Sequence, residues 1–319
     1  METWLTGEAL QHIQTSYGLR VWGAVPMRSV VRLVTDRGRF ICKRYDRDKG
    51  VAEDRLRAIV DVKTQLERAG LCRSYVSTLA GEPFCHWRLA PVTVEPWHAG
   101  RHADFSHPFE RMRAMQAVAR LHNAQLRIPF ALRHSTTILQ KLSFRLARAD
   151  EVANREQLTG ISLSEWEEWR RLAEHVLRQL PHRQITALTD GDRAAGVLCH
   201  RDLAPHNILM TEGSPARLID FDLAGADSPI YDLHQLLDHM MYRNPSGEWR
   251  EEALDAYSRV RPLGREHLAA LAALVDFPSV LLREIGELGV AHSDKAKRRA
   301  AVRVKFASQL LRQRTRALA

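Results

Sequence analysis

The sequence predicts an α+β protein built as two lobes, a small strand-rich one followed by a large helical one. Three observations predict it. Two β-rich runs, residues 30–35 and 39–45, flank Asp36-Arg37-Gly38, a hairpin signal. Beyond Pro96 the apolar spacing changes from strand-like to the helical i, i+3, i+4 pattern. Between the helical segments lies one stretch, Cys199 to Leu209 followed by Ile219-Asp220-Phe221-Asp222, whose polar residues are set for chemistry.

The elements follow in order. Residues 5–17 read as a helix. The hairpin strands come next, then a helix over 51–69, with Val51, Leu56, Ile59, Val60 and Leu66 on its apolar face and Gly70 as its stop. Short strands are expected at 75–79, 84–89 and 92–95. Glu95-Pro96-Trp97 marks the boundary, so residues 1–95 form the first lobe and 96–319 the second. A helix over 108–126 begins with a proline in its first turn, and helices over 138–153 and 164–179 follow. After the polar stretch come helices at 231–241, 248–260, 265–275 and 279–288.

At 319 residues the chain is long enough to bury a sizeable core. No apolar run reaches the ~18 residues of a membrane span, and the N-terminus lacks the basic and apolar regions of a signal peptide, so a cytoplasmic location is expected. Cys42, Cys72, Cys85 and Cys199 are scattered through apolar surroundings, as buried free thiols would be. The net charge of +9 comes from the tail, where residues 295–316 hold nine Lys or Arg and no acid. Val302, Phe306 and Leu310 recur every four residues, as in an amphipathic helix docked by one stripe. Its basic face is suited to an anionic partner. The tail lacks interleaved aromatics, which argues against a nucleic-acid platform.

The polar stretch carries an Asp, an Asn and a second Asp at Asp202, Asn207 and Asp220. Ile208-Leu209 and Leu218-Ile219 can pair as a hairpin around Glu212-Gly213-Ser214-Pro215, which returns Asp220 to Asn207. Two hard oxygen ligands then face one Mg²⁺, with Asp202 nearby as the base that orients an attacking hydroxyl. That equipment suits phosphoryl transfer from ATP. Asp222 is a candidate second metal contact. Lys43 is out of place on a half-buried strand unless it has a partner, and alternation puts Arg44 on the opposite face.

These words, "CHRDLAPHNIL", "ARLIDFDLAG" and "DSPIYDLHQLL", with "FICKRYDR", "WHAGRHADF" and "VARLHNAQ" before them, resemble the aminoglycoside phosphotransferase/choline kinase-like superfamily. Within it the chain looks most like the bacterial spore-coat kinase-like (CotS) group. The resemblance implies a two-lobed protein-kinase-like fold and an ATP- and Mg²⁺-dependent phosphotransferase acting on a hydroxyl of a small molecule or surface polymer, with a possible spore-coat location. It implies that Lys43 contacts the nucleotide phosphates, and that His200 and Arg201 shape the loop. The segment from Trp22 to Ser29 would cover the phosphates, with Arg28 or Ser29 standing in for the glycine-rich loop that is missing here. The Glu95 carbonyl and Trp97 N–H would meet the adenine. In such folds the strand lysine has an acidic partner on the following helix; Glu53, Asp54 and Asp61 lie on the helix over 51–69, but the register that would face Lys43 falls near Ile59, so no partner is identified. Asp232 is read as structural, capping its helix and supporting the loop. Two alternatives stay open: a degenerate kinase fold with a binding or structural role, and a protein kinase, suggested by His200-Arg201-Asp202.

Overall fold

The structure is a computed structural model that describes residues 4–27, 29–46, 52–133, 136–155, 158–291 and 293–317. Helix α1 (Gly7–Tyr17) opens the chain, capped by the Thr6 hydroxyl. Five antiparallel strands follow: β1 (Val21–Pro26), β2 (Val31–Thr35), β3 (Gly38–Arg44), β4 (Cys85–Trp87) and β5 (Ala90–Pro96). Their order in the sheet is β1-β2-β3-β5-β4. Helix α2 (Glu53–Arg68) lies between β3 and β4 in sequence. The hairpin at residues 36–37 forms as expected, with Thr35 opposite Gly38.

Strand β1 escaped the sequence reading because Gly23 and Pro26 break its alternation. It tolerates both as an edge strand, which needs no ladder N–H on its outer side. The strand expected at 75–79 does not form. Val76 N–H makes a single bond to the Val94 carbonyl (2.7 Å), and the chain then turns, with Thr78 N–H donating to Glu82. The edge of β5 beyond β3 is taken by β4 instead.

The helical part comprises α3 (Pro108–Asn123), α4 (Ile138–Arg155), α5 (Leu163–Gln179), α6 (His182–Ala194), α7 (Pro229–Met241), α8 (Arg250–Ser258), α9 (Arg265–Leu274), α10 (Ser279–Leu288) and α11 (Asp294–Ala317). Its core gathers Met115, Leu142, Trp169, Leu233, Tyr257 and Leu281. The sheet has a core of its own around Leu33, Cys42, Val92 and Val94. All four cysteines are free and buried. Helix α11 docks differently from the reading: Val302 and Phe306 are exposed, and Ala300, Val304, Ala307 and Ser308 face inward. Small residues allow the close approach to α10, and Trp169 Nε1 donates to the Ser308 hydroxyl (2.9 Å). No helix among the described residues is long and apolar enough to cross a membrane.

Three short pairings place the site. Strand β6 (Arg101–His102), which follows β5, pairs with β8 (Ile208–Met210), and β8 pairs with β9 (Arg217–Leu218). A second pair, β7 (Leu198–Cys199) with β10 (Gly225–Ala226), closes the other end of the loop. The chain leaving the sheet is thus tied directly to the hairpin of Asn207 and Asp220. Gly100 makes that tie possible. Its φ of +149° disfavours a side chain, and a Cβ there would stand 3.0 Å from the Met210 carbonyl. Gly100→Ala is expected to lower stability by more than ~1 kcal/mol, read from urea denaturation midpoints. An unchanged midpoint would show that the junction can shift.

Candidate active site

The hairpin predicted from the sequence is present. Ile208 pairs with Leu218, and Ile219 N–H donates to the Asn207 carbonyl (3.0 Å). Asn207 and Asp220 therefore sit together and line one cleft between the lobes, of about 210 Å³, with Ser29, Lys43, Glu95, Pro96 and Trp97. Asn207 Nδ2 donates to Asp202 twice, to its carbonyl (2.8 Å) and its Oδ2 (3.0 Å). This fixes the amide with its oxygen turned away from Asp202 and free of donors among the described residues.

Lys43 reaches across the lobes to both acids of the second motif. Its Nζ lies 3.0 Å from Asp220 Oδ1 and 2.6 Å from Asp222 Oδ2. Burial alone would lower its pKa, but the two carboxylates outweigh that and raise it. The acidic partner sought on α2 is thus supplied by the loop after β9. Glu53 instead pairs with Arg57 and lies beside His86. Asp222, expected at the metal, has both oxygens engaged, Oδ2 by Lys43 and Oδ1 by the Tyr45 hydroxyl (3.0 Å). Its pKa is raised, by burial first and by Asp220 beside it. Asp220 moves the other way: burial raises it, and the opposing pull of Lys43 and His200 leaves it lowered. Asp220 Oδ2 meets no donor among the described residues.

Helix α2 carries cations where an acid was sought. Buried Lys63 pairs with Glu95 and stacks on Tyr75, 3.9 Å from the ring centre. Arg55 donates to the carbonyls of Asp222 (3.2 Å) and Ala224 (2.8 Å), holding the loop that presents the two acids. Apolar periodicity alone does not reveal these cations.

The adenine-side expectations need one correction. In the β3–β5 ladder Ile41 faces Glu95, Trp97 N–H donates to the Arg39 carbonyl, and Tyr45 N–H donates to the Pro91 carbonyl (2.9 Å each). Alternation makes Ile41–Glu95 a hydrogen-bonded pair as well, so the Glu95 carbonyl and Trp97 N–H are engaged within the sheet. The intervening Pro96 carbonyl points away from β3, and Pro96 and His98 line the cleft. Ser29 lies in the tight turn closed by Met27 N–H to the Val30 carbonyl (2.8 Å), at the mouth of the same cleft. Arg28 lies outside the described residues.

The loop carrying Asp202 is held by Asp232. This carboxylate, fully buried in the first turn of α7, accepts from His200 N–H (2.6 Å), Arg201 N–H (2.7 Å) and His122 Nε2 (3.0 Å). It does not cap α7, whose N-cap is Ser228. Tyr257 lies on the other ring nitrogen of His122 (2.8 Å). Those bonds hold Arg201 in a left-handed conformation (φ +68°), rare for a residue with a side chain. Asp220, at φ +63°, is the second such residue of the site. His200 Nε2 donates to the Ile219 carbonyl (2.8 Å), so its Nδ1 can accept Asp202 N–H (3.3 Å). One imidazole thereby joins the two halves of the motif. Arg201 closes the loop from outside through Asp227 and the Thr136 carbonyl.

Burial pushes the Asp232 carboxyl up, but the hydrogen bond from His122 and the nearby positive groups outweigh it, so its pKa is lowered. A depressed carboxyl adds stability at pH above its unfolded value, near 3.9, and loses it as pH falls through the folded value. Asp232→Ala is expected to cost about 3–5 kcal/mol, because it strands two buried N–H groups and a buried histidine. In Asp232→Asn the fall in stability below about pH 4 should flatten relative to the wild type. Urea midpoints across pH 2–7 check both, and parallel curves would refute the assignment.

The residues fit a hard divalent cation. Asn207 Oδ1 and Asp220 Oδ2 are oxygen donors left free on the same cleft wall, and Asp220 stays ionised. The phosphotransferase enzyme family model matches residues 28–274. Along its full length the chain is similar in structure to an aminoglycoside phosphotransferase from Alicyclobacillus acidocaldarius subsp. acidocaldarius DSM 446, with a TM-score of 0.78, 20% identity and 96% of that chain covered. It is also similar to a microcompartment-associated aminopropanol kinase (TM-score 0.70, 18% identity, 98% of each chain). The amicoumacin kinase hAmiN, solved with AMP-PNP, Ca²⁺ and Ami, has a TM-score of 0.64 and 15% identity over 96% of this chain and 93% of that one. No curated protein matches. The family match spans both motifs and the strand lysine, and on it the chain belongs to the phosphotransferase enzyme family, with the two-part α+β kinase-like fold seen here.

Proposed function

We propose that the protein transfers the γ-phosphoryl group of ATP, with Mg²⁺, to the hydroxyl of a small molecule. The observation that carries this reading is the convergence of Lys43, Asn207 and Asp220 on one inter-lobe cleft, with Asp202 hydrogen-bonded to Asn207 behind it. Asn207 Oδ1 and Asp220 Oδ2 are the groups that would hold the metal, which when bound neutralises phosphate charge. Lys43 gives up part of its pairing with Asp220 to meet phosphate oxygens, while Asp222 keeps it aimed. Asp202 accepts the hydroxyl proton and orients the oxygen; the Asn207 amide fixes the angle of its carboxylate. Pro96 supports the adenine edge with its carbonyl and Ser29 lies over the phosphates.

The exposed tail residues Lys295, Arg298 and Arg299 supply attraction to an anionic partner, while Arg303 and Arg312 are tied to Glu284 and Glu165. A spore-coat location is carried by the sequence resemblance, and probing coat extracts with an antibody to the protein tests it.

ATP with Mg²⁺ at ~100 times its dissociation constant should stabilise the protein by about 2.7 kcal/mol, seen as a rise in Tm. The rise should vanish with EDTA and in Asp220→Ala. Asp202→Asn should keep the rise and lose on the order of 10²–10⁴-fold in turnover. Full turnover in Asp202→Asn, or no nucleotide-dependent rise, would overturn the proposal.

A further inference from the structure

Beside the catalytic loop, sharing no lining residue with the nucleotide cleft, opens a second cleft of about 720 Å³. It is walled by Arg55 of α2, by Gln140, Lys141 and Phe144 of α4, and by Arg201 and Tyr231. Among the described residues no carboxylate lines it. Arg201 of its wall directly precedes Asp202 in the catalytic loop, which places the cleft next to the base.

The three cations of the wall are not equivalent. Arg201 is answered by Asp227. Arg55 donates to two main-chain carbonyls, and Lys141 donates to the Gln235 amide oxygen (3.4 Å) while lying 4.1 Å above the Tyr231 ring. Neither Arg55 nor Lys141 meets a carboxylate among the described residues. Burial, with Arg145 and Arg201 close by, pushes the Lys141 ammonium down to about 7. An anion in the cleft would remove that penalty. A polycationic acceptor would instead meet the like charges of Arg55 and Lys141, with no carboxylate of the wall among the described residues to answer its own. Exposed Phe144 and Leu223 add apolar surface at the rim.

Resting on the phosphotransferase reading above, we infer that the acceptor is a small hydroxyl compound that also carries an anionic oxygen group, a carboxylate or a phosphate, bound by Lys141 and Arg55. The hydroxyl oxygen attacks the γ-phosphorus, its proton passes to Asp202, and the bond to the β-phosphate oxygen breaks to release ADP.

The test is ADP release by the full chain with a broad acceptor panel in four classes: sugar and polyol acids, sugar phosphates, neutral sugars and polyols, and cationic amines including kanamycin and choline. The first two classes separate the carboxylate from the phosphate source. The expected result is that the best acceptors are anionic, and that Lys141→Met raises their KM about tenfold or more, with Lys141→Arg restoring much of it. Gln140→Glu adds a carboxylate to the wall while keeping the oxygen that accepts from Thr137, and should raise the same KM without disturbing the fold. A Tm rise with ATP and Mg²⁺, retained in each variant, shows that nucleotide binding is intact. Best acceptors that are neutral or cationic, an anionic KM unmoved by both Lys141→Met and Gln140→Glu, or a panel without an anionic acceptor while ATP still binds, would overturn the inference and leave the phosphotransferase reading standing. Absence of the ATP-dependent rise in the wild type would overturn that reading, and this inference with it.

Discussion

The buried carboxylate of Asp232 is what the active-site loop depends on. Two consecutive backbone N–H groups, from His200 and Arg201, point at its two oxygens, and His122 donates to one of them. Charge-assisted bonds of this kind are strong where water is excluded. They hold Arg201 at a positive φ that would otherwise cost of order 1–3 kcal/mol. That backbone reversal turns Asp202 away from the core and into the space beside Asn207. His200 then links the loop to Ile219, the residue before Asp220. Asp202 and the free oxygens of Asn207 and Asp220 are thus fixed by one set of bonds anchored on α7.

The second constraint joins the lobes. Lys43 on β3 and the two acids after β9 form a triad of one positive and two negative groups, with Tyr45 on the outer oxygen of Asp222. The two acids differ because their surroundings do: Asp220 has the lysine and His200 to lower it, whereas Asp222 is more burdened by burial and by Asp220 itself. This arrangement relieves α2 of supplying an acid, and α2 carries the opposite charge instead. Its Arg55 steadies the loop after Asp222, and its Lys63 pairs with Glu95 at the end of β5. The same helix thus braces the acidic loop on one side and the boundary strand on the other.

What the sequence made legible was local. Asn207 and Asp220 are thirteen positions apart, joined by two short apolar runs and a Gly-Ser-Pro turn, and such a hairpin is specified by its own residues. The strand-to-helix change at Pro96 was legible for the same reason. The Lys43 partner was not, because 177 positions separate it from Asp220 and only the packing of the lobes brings them together. Strand β1 was hidden by Gly23 and Pro26, which an edge position tolerates. The engagement of Glu95 and Trp97 depends on how far the β3–β5 ladder runs, which residue types do not encode. On α11 the exposed Val302 and Phe306 outscored the small residues that make the contact, since apolar periodicity weighs large side chains over close approach.

The two clefts differ in sign. On the nucleotide side Asp220 and Asp222 exceed Lys43 by one negative charge, a surplus suited to a divalent cation and unsuited to bare phosphates. In the other cleft Arg55, Lys141 and Arg201 line a wall that has no acid among the described residues. Asp202 is tied to Asn207 of the first cleft by a hydrogen bond and follows Arg201 of the second in the chain. In the proposed reaction the group transferred is itself an anion, and an anionic acceptor would bring a second negative charge toward it. Cations on the far wall offset that repulsion before any bond forms. They also draw the anionic end of the acceptor away from the phosphates, which leaves its hydroxyl as the part nearest Asp202. Charge on the wall then orients the acceptor as well as binding it, and orientation is the main service a loose phosphoryl-transfer transition state asks of a protein.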